Sequence, residues 1–372
     1  MVPEIITKIF SVRGGMRALQ LCAIYCFTFL GMAGAASAAG YKPPTVELPT
    51  QPLSVGTDPL LETSWHLDRI NARSAWQMTK GSPSVVIAII DSGLKYNNPE
   101  IAGRIKRKSV EIIDGIDNDG NGFIDDAIGW NFNEDVALPF DDDGHGTFVA
   151  SIIAAEEGDG LGGVGVCPKC QILPLRFMDK DGLGDTSDAV KAIRYAVAEK
   201  VSVINLSFCG EGYDRDLSFA LQEAMKADIV VVGAAGNDGL NIDRSDLYPQ
   251  KFRFDNFITV AASKKDDELS ERSNHGTKYV NIAAPGVNIW GLWSDDKWYR
   301  SGGTSFAAPQ VAAVAGLIRS ANPSLHATEV VRIILATVDK VEGLAKDVSS
   351  GGVLDAAAAV KCAVDPAHAC LN

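Results

Sequence analysis

From Leu61 onward the chain alternates between two apolar patterns. Val85–Asp91, Ile172–Phe177, Val201–Phe208, Asp228–Gly236, Phe257–Ala262 and Tyr279–Ala284 are short, nearly continuous apolar runs rich in β-branched residues. Such runs fit strands covered on both faces. Between them, over Asp188–Glu199, Asp216–Ala227 and Ser305–Ala321, apolar residues return every three or four positions, as on a helix packed against a core. The alternation predicts an α/β fold of three layers, αβα, around a mostly parallel sheet. In such sheets ligands sit at the carboxyl ends of the strands. No repeat divides the pattern, so 61–360 reads as one domain and 361–372 as a short tail.

Residues 1–60 do not join this pattern. Lys8, Arg13 and Arg17 flank an apolar run from Leu19 to Met32, and Ala36-Ser37-Ala38 offers a small-residue cleavage site. These features read as a secretory signal peptide over 1–38; a membrane anchor would need a longer run. Tyr41–Pro59 carries five prolines and no periodicity, so 39–60 reads as a Pro-rich extension. No later run reaches the roughly 18 apolar residues a span requires. The protein is therefore expected to be secreted, into the medium or the periplasm, and to leave the membrane once the signal is removed.

Composition narrows the partners. With 46% hydrophobic and 22% charged residues the chain is globular, and a formal net charge of −13 argues against nucleic acid. A monomer is expected. Cys22 and Cys26 fall within the signal. Outside the cytosol, Cys362 with Cys370 and Cys167 with Cys170 are expected to form disulfides; no thioredoxin-like βαβ start precedes Cys167 to favour a redox motif. Cys209 is left over, as an inert or a reactive thiol.

Four positions could carry chemistry. Asp91 ends an apolar strand, where a carboxylate needs a partner. His145 lies in Asp143-Gly144-His145-Gly146-Thr147, whose glycines allow close backbone approach. Ser305, in Gly302-Gly303-Thr304-Ser305-Phe306-Ala307-Ala308-Pro309, opens a long helix whose N–H groups favour negative charge; Pro309 is expected in its first turn. Asn237 closes Ala234-Ala235-Gly236-Asn237 at another strand end, where its amide could face an oxyanion. Singly, each has an ordinary alternative as a turn residue, a structural histidine or a helix cap.

Together, in the order Asp, His, Asn, Ser, these blocks resemble the subtilase family of serine peptidases, over roughly Leu61 to Val360. The resemblance implies a subtilisin-like fold and a secreted endopeptidase in which Ser305 attacks, His145 relays the proton, Asp91 orients the imidazole and Asn237 binds the oxyanion. It implies protein or peptide substrates laid as an extended strand between Lys180–Gly184, with Gly182 and Gly184, and Ser207–Gly210. Ser207, Phe208 and Cys209 would wall the primary pocket opposite Ala234, Ala235 and Gly236, with Leu247 at its floor and a modest apolar residue preferred. Phe148 and Phe306 stand where the family commonly has histidine and methionine. The second change predicts tolerance of peroxide. A peptide ligase on the same scaffold and a non-catalytic peptide-binding homologue remain the alternatives.

Asp117-Asn118-Asp119-Gly120-Asn121-Gly122-Phe123-Ile124-Asp125 spaces oxygen donors like the start of a calcium loop, with Asp117, Asp119, Asn121 and Asp125 as ligands; Ile128 stands at the closing glutamate's position, for which Asp126 or Asp114 could substitute. Structural Ca²⁺ is expected there. By the resemblance, Glu100 with the Asp159–Gly163 loop is a second cation site.

Overall fold

The computed structural model describes the backbone of Ala18–Leu21 and residues 56–365, 367 and 369–371. The cleavage site after Ala38 and most of the Pro-rich extension lie outside the described residues.

The centre is a ten-stranded sheet. Its strands are β1 (Val86–Asp91), β2 (Trp130–Asn131), β3 (Val136–Ala137), β4 (Gln171–Arg176), β5 (Val203–Leu206), β6 (Val230–Ala234), β7 (Phe257–Ser263), β8 (Ile282–Pro285), β9 (Asp339–Lys340) and β10 (Gly352–Val353). They lie in the order β9-β10-β8-β7-β6-β5-β1-β4-β2-β3. Only the edge strands β3 and β9 run antiparallel to their neighbours.

Both faces of the sheet are buried, which is why its strands read as unbroken apolar runs. On β1, Ile87 and Ile89 enter one core while Val86, Ala88 and Ile90 enter the other. The first core is covered by α1 (His145–Ala154), α4 (Thr304–Ala321), α5 (Ala327–Ala336) and α6 (Ala356–Val364). The second is covered by α2 (Thr186–Ala198) and α3 (Arg215–Lys226). Asp185, Asp214 and Asp355 cap α2, α3 and α6 by accepting backbone N–H groups. Helix α4 is buried from Thr304 to Ile318, as expected of a helix apolar on every side.

The chain leaves β1 through α1 on one face and returns to β4; it then crosses the other face through α2 to β5, on the opposite side of β1. This reversal leaves a crevice at the carboxyl end of β1. Asp58 and Leu60, at the end of the Pro-rich stretch, are buried against the domain, and Cys362 packs in the first core. Disulfides join Cys167 to Cys170 and Cys362 to Cys370, as expected from their spacing. No helix among the described residues is long and apolar enough to cross a membrane.

Candidate active site

Asp91 is the last residue of β1 and His145 the first of α1. Imidazole Nδ1 lies 2.8 Å from Asp91 Oδ1, with both side chains buried. Burial opposes the charged imidazole, but Asp91, with Asp143 and Asp141 behind it, outweighs that effect and raises His145 above the ordinary histidine value. Asp143 is itself pushed up to about 6 by burial, despite the nearby imidazole.

The head of α1 is tied to the end of β1 by two residues that pattern reading did not single out. Asp141 accepts from Gly144 N at 2.7 Å, Thr147 N at 2.8 Å and Thr147 Oγ1 at 2.6 Å. Ser92 Oγ donates to Asp141 at 2.9 Å and accepts from Gly146 N at 2.9 Å. A Cβ on Gly146 would overlap the carbonyl of Gly93, and Gly144 adopts φ +115° against the Trp293 ring. The glycines around His145 thus let helix and strand meet closely enough for the ion pair.

Ser305 is the second residue of α4, after Gly303 at φ +149°. Its hydroxyl donates to Ser207 O at 3.2 Å, and Ser207 Oγ donates back to Ser305 O at 3.0 Å. The second bond has a cause in the sequence. Pro309 sits at the start of the second turn of α4 and lacks the N–H that would have bonded the Ser305 carbonyl. Ser207 supplies the missing donor. His145 Nε2 is buried without a partner, and the imidazole lies 5.5 Å, ring centre to ring centre, from Phe306 at the head of α4. Phe148 packs on the same Phe306 ring at 4.3 Å, so the two aromatic departures form one cluster beside His145.

Asn237 meets the same helix head. Its Oδ1 accepts from Thr304 N at 2.8 Å and Thr304 Oγ1 at 3.0 Å, which fixes the amide with Nδ2 as its donor end. Asp91, His145, Asn237 and Ser305 therefore converge at the carboxyl ends of β1, β5 and β6 and the start of α4.

Beside them lies a four-stranded sheet in the order Leu247–Tyr248, Phe208–Glu211, Ala18–Leu21, Leu183–Asp185. The backbone of Ala18–Leu21 pairs antiparallel with both neighbours, with Gln20 opposite Cys209 and Leu19 opposite Gly184. Gly184 admits the Phe177 ring, and Gly182 turns the neighbouring loop. Cys209, Ala235 and Leu247 share one apolar cluster, and a Cβ on Gly236 would meet the Cys209 sulfur at 3.3 Å. Phe208 turns its ring into the opposite core, 4.7 Å from Phe177. Ala234 belongs to the sheet core. Cys209 is disulfide-bonded, which corrects the expectation of a leftover thiol.

Among the described residues, one acidic group brings its ligand atoms close enough to hold a metal ion, and a second surrounds a buried carboxylate. Glu111, Asp117 and Asp119 bring ligand atoms within 4.8 Å of one another. The backbone N–H of Gly122, with those of Gly120 and Asn121, holds Asp117 below the ordinary carboxylate value. Glu111 lies upstream of the loop pattern and was not anticipated. Asp125 instead accepts from the backbone of Asp114 and Gly115 and does not join this acidic group, while Asn121 Oδ1 accepts from Phe123 N. The second group surrounds Glu100, which is 3% exposed with Oε2 unpartnered. Burial, with Asp159 and Asp58 nearby, pushes its carboxyl from 4.5 to about 8. A buried orphan carboxylate oxygen among other carboxylates fits a hard cation. Asp58, inside the Pro-rich stretch, escaped pattern reading.

This is a doubly wound α/β protein that presents a carboxylate–imidazole pair and a serine at the head of a buried helix. The Subtilase family pattern matches residues 82–353, and the chain belongs to that family. It is 33% identical over 321 residues to subtilisin-like protease 1 of Plasmodium berghei, covering 81% of this chain and 54% of that protein. It is 33% identical over 275 residues to thermitase of Thermoactinomyces vulgaris, covering 74% and 88% respectively. Among solved structures, a protease from Pseudoalteromonas arctica aligns with a TM-score of 0.67 at 29% identity, over 83% of this chain and 100% of that one. The chain spans about half the length of the Plasmodium relatives it matches.

Proposed function

We propose that this chain is a serine endopeptidase working through an acyl-enzyme. The observation that carries the reading is the buried Asp91–His145 pair beside a helix head that bears Ser305. Ser305 turns from Ser207 O toward His145 Nε2 by rotation between staggered wells. His145 takes its proton as Ser305 attacks the scissile carbonyl, then passes it to the leaving amine. Asp91 holds Nδ1–H and stabilises the imidazolium. Nδ2 of Asn237 and the N–H of Ser305 receive the oxyanion, aided by the positive end of α4.

A fluorophosphonate probe tests this directly: it should label the intact protein at Ser305 and spare Ser305→Ala. Labelling of both, or of neither, overturns the assignment. Asn237→Ala should lower kcat by about 10²–10³-fold with KM little changed, the scale known for one oxyanion donor in subtilisin. Steady-state kinetics on a peptide substrate read the split.

Substrate lies as an extended strand between Leu183–Asp185 and Phe208–Glu211. The strand Ala18–Leu21, paired with both, supports that reading by occupying such a position. Cys209, Ala235 and Leu247 bound a primary pocket suited to a modest apolar residue. Residues 1–38 act as a secretion signal, and the domain 61–360, with Asp58 attached, works as a monomer outside the cytosol.

Ca²⁺ is the cation for which the two acidic groups are suited, the Glu100 group holding the 158–162 loop beside the domain's N-terminal entry at Asp58. Glu100 has its pKa raised from 4.5 to about 8, so its contribution to stability is full below 4.5 and is lost as pH rises through 8 unless a cation pairs it. Removing calcium, by EGTA at pH 8 or by exhaustive dialysis into calcium-free buffer at pH 5, should therefore lower the melting temperature by roughly 5–10 °C at pH 8 and little at pH 5. Glu100→Gln should weaken that dependence. A melting temperature indifferent to EGTA at pH 8 rules out calcium there.

A further inference from the structure

A second cleft, of about 660 Å³, shares no residue with the triad or the groove walls. That volume suits a small organic ligand. Phe252, Phe254, Phe257 and Tyr279 supply its apolar surface, with Val331 and Leu335 from α5.

Its charge runs against the rest of the molecule. The chain carries a formal net charge of −13, yet Arg253, Lys278 and Arg332 line this cleft against a single carboxylate, Asp255. Elsewhere arginines such as Arg69, Arg104 and Arg319 are held in ion pairs. Among the described residues none of the three cleft cations has such a partner, and the Lys278 ammonium rests instead over the Tyr279 ring at 4.8 Å. Unpaired cations gathered at one concavity of an acidic protein favour an anionic ligand.

Two buried polar atoms add direction. Gln250 and Thr259 both line the cleft and are each 1% exposed. Gln250 Nε2 donates to Phe208 O at 2.9 Å and Ala234 O at 2.5 Å, so the amide orientation is fixed and Oε1 is an acceptor with no partner. Thr259 Oγ1 also has none. Buried groups left so are costly unless a ligand or water satisfies them. An acceptor and a hydroxyl on residues that line one cleft with three cations match an amide and a carboxylate on one molecule.

We propose that this cleft binds the carboxylate end of a short peptide or N-acylated amino acid with an apolar side chain. The carboxylate meets Arg253, Lys278 and Arg332, the amide N–H meets Gln250 Oε1, its carbonyl accepts from Thr259 Oγ1, and the side chain lies among the phenylalanines. Peptides with new carboxylate ends are what the proposed peptidase releases, and only that link to products rests on the functional reading.

The test titrates N-acetyl-L-phenylalanine, as its anion, into the Ser305→Ala protein by calorimetry, so the outcome does not depend on turnover. One saturable site is expected, weakened about tenfold by either Arg253→Glu or Arg332→Glu and by replacing the probe's carboxylate with a carboxamide. Thr259→Val should weaken it too, and a substrate peptide blocked at both ends, held uncleaved in the groove of the Ser305→Ala protein, should leave it unchanged. Both arginines are exposed, and unchanged melting temperatures would show the variants folded. Absence of saturable binding, binding indifferent to both charge reversals, or displacement by the groove ligand overturns the proposal.

Discussion

Ser305→Ala is expected to abolish peptide hydrolysis while leaving the fold in place. In subtilisin the loss of the nucleophile costs about 10⁶-fold in kcat, and a similar scale applies if Ser305 is the attacking group. The structural cost is small. The hydroxyl makes one hydrogen bond, to Ser207 O, worth about 1 kcal/mol net, and no cavity larger than an oxygen atom results. The melting temperature should therefore move by about 2–4 °C at most. Measured together, turnover and thermal unfolding separate loss of chemistry from loss of structure. Retained turnover in folded protein would remove Ser305 from the mechanism.

Asp91→Asn should lower kcat/KM by about 10⁴-fold, because an asparagine can present its NH₂ to the imidazole and favour the wrong tautomer. It should also move the pH profile. In the intact protein, burial opposes the imidazolium but Asp91 outweighs it and raises His145 above 6.5. The general base must be neutral, so kcat/KM should rise along an acid limb displaced above that value. Without the Asp91 carboxylate, burial is countered only by Asp143 and Asp141, and the limb should shift to lower pH. The same pair links to stability: a raised folded value contributes fully below 6.5 and is lost as pH climbs through the folded value. An unmoved limb in Asp91→Asn would mean that another group sets the base.

Much of this was legible along the chain. The apolar runs marked β1, β4, β5, β6, β7 and β8 within a few residues, because a strand buried on both faces has no polar alternation to blur it. Asp91, His145 and Ser305 stood out because each interrupts such a run or opens a helix, with glycines at hand. Glu111, Asp58 and Asp141 were invisible for the converse reason. They lie in irregular stretches, and nothing in their local pattern says which distant backbone or carboxylate they will meet.

What the sequence alone determined is what periodicity and short-range sterics dictate: the layers, the strand ends, and the glycines that let α1 approach β1. Only the tertiary structure decided how groups far apart in the chain share their hydrogen bonds. It turned the Ser305 hydroxyl toward Ser207, filled the gap left by Pro309 with that same serine, and drew Glu111 rather than Asp125 to Asp117 and Asp119. Local patterns fix where a side chain starts; which partner satisfies it depends on packing that brings distant segments within about 3 Å.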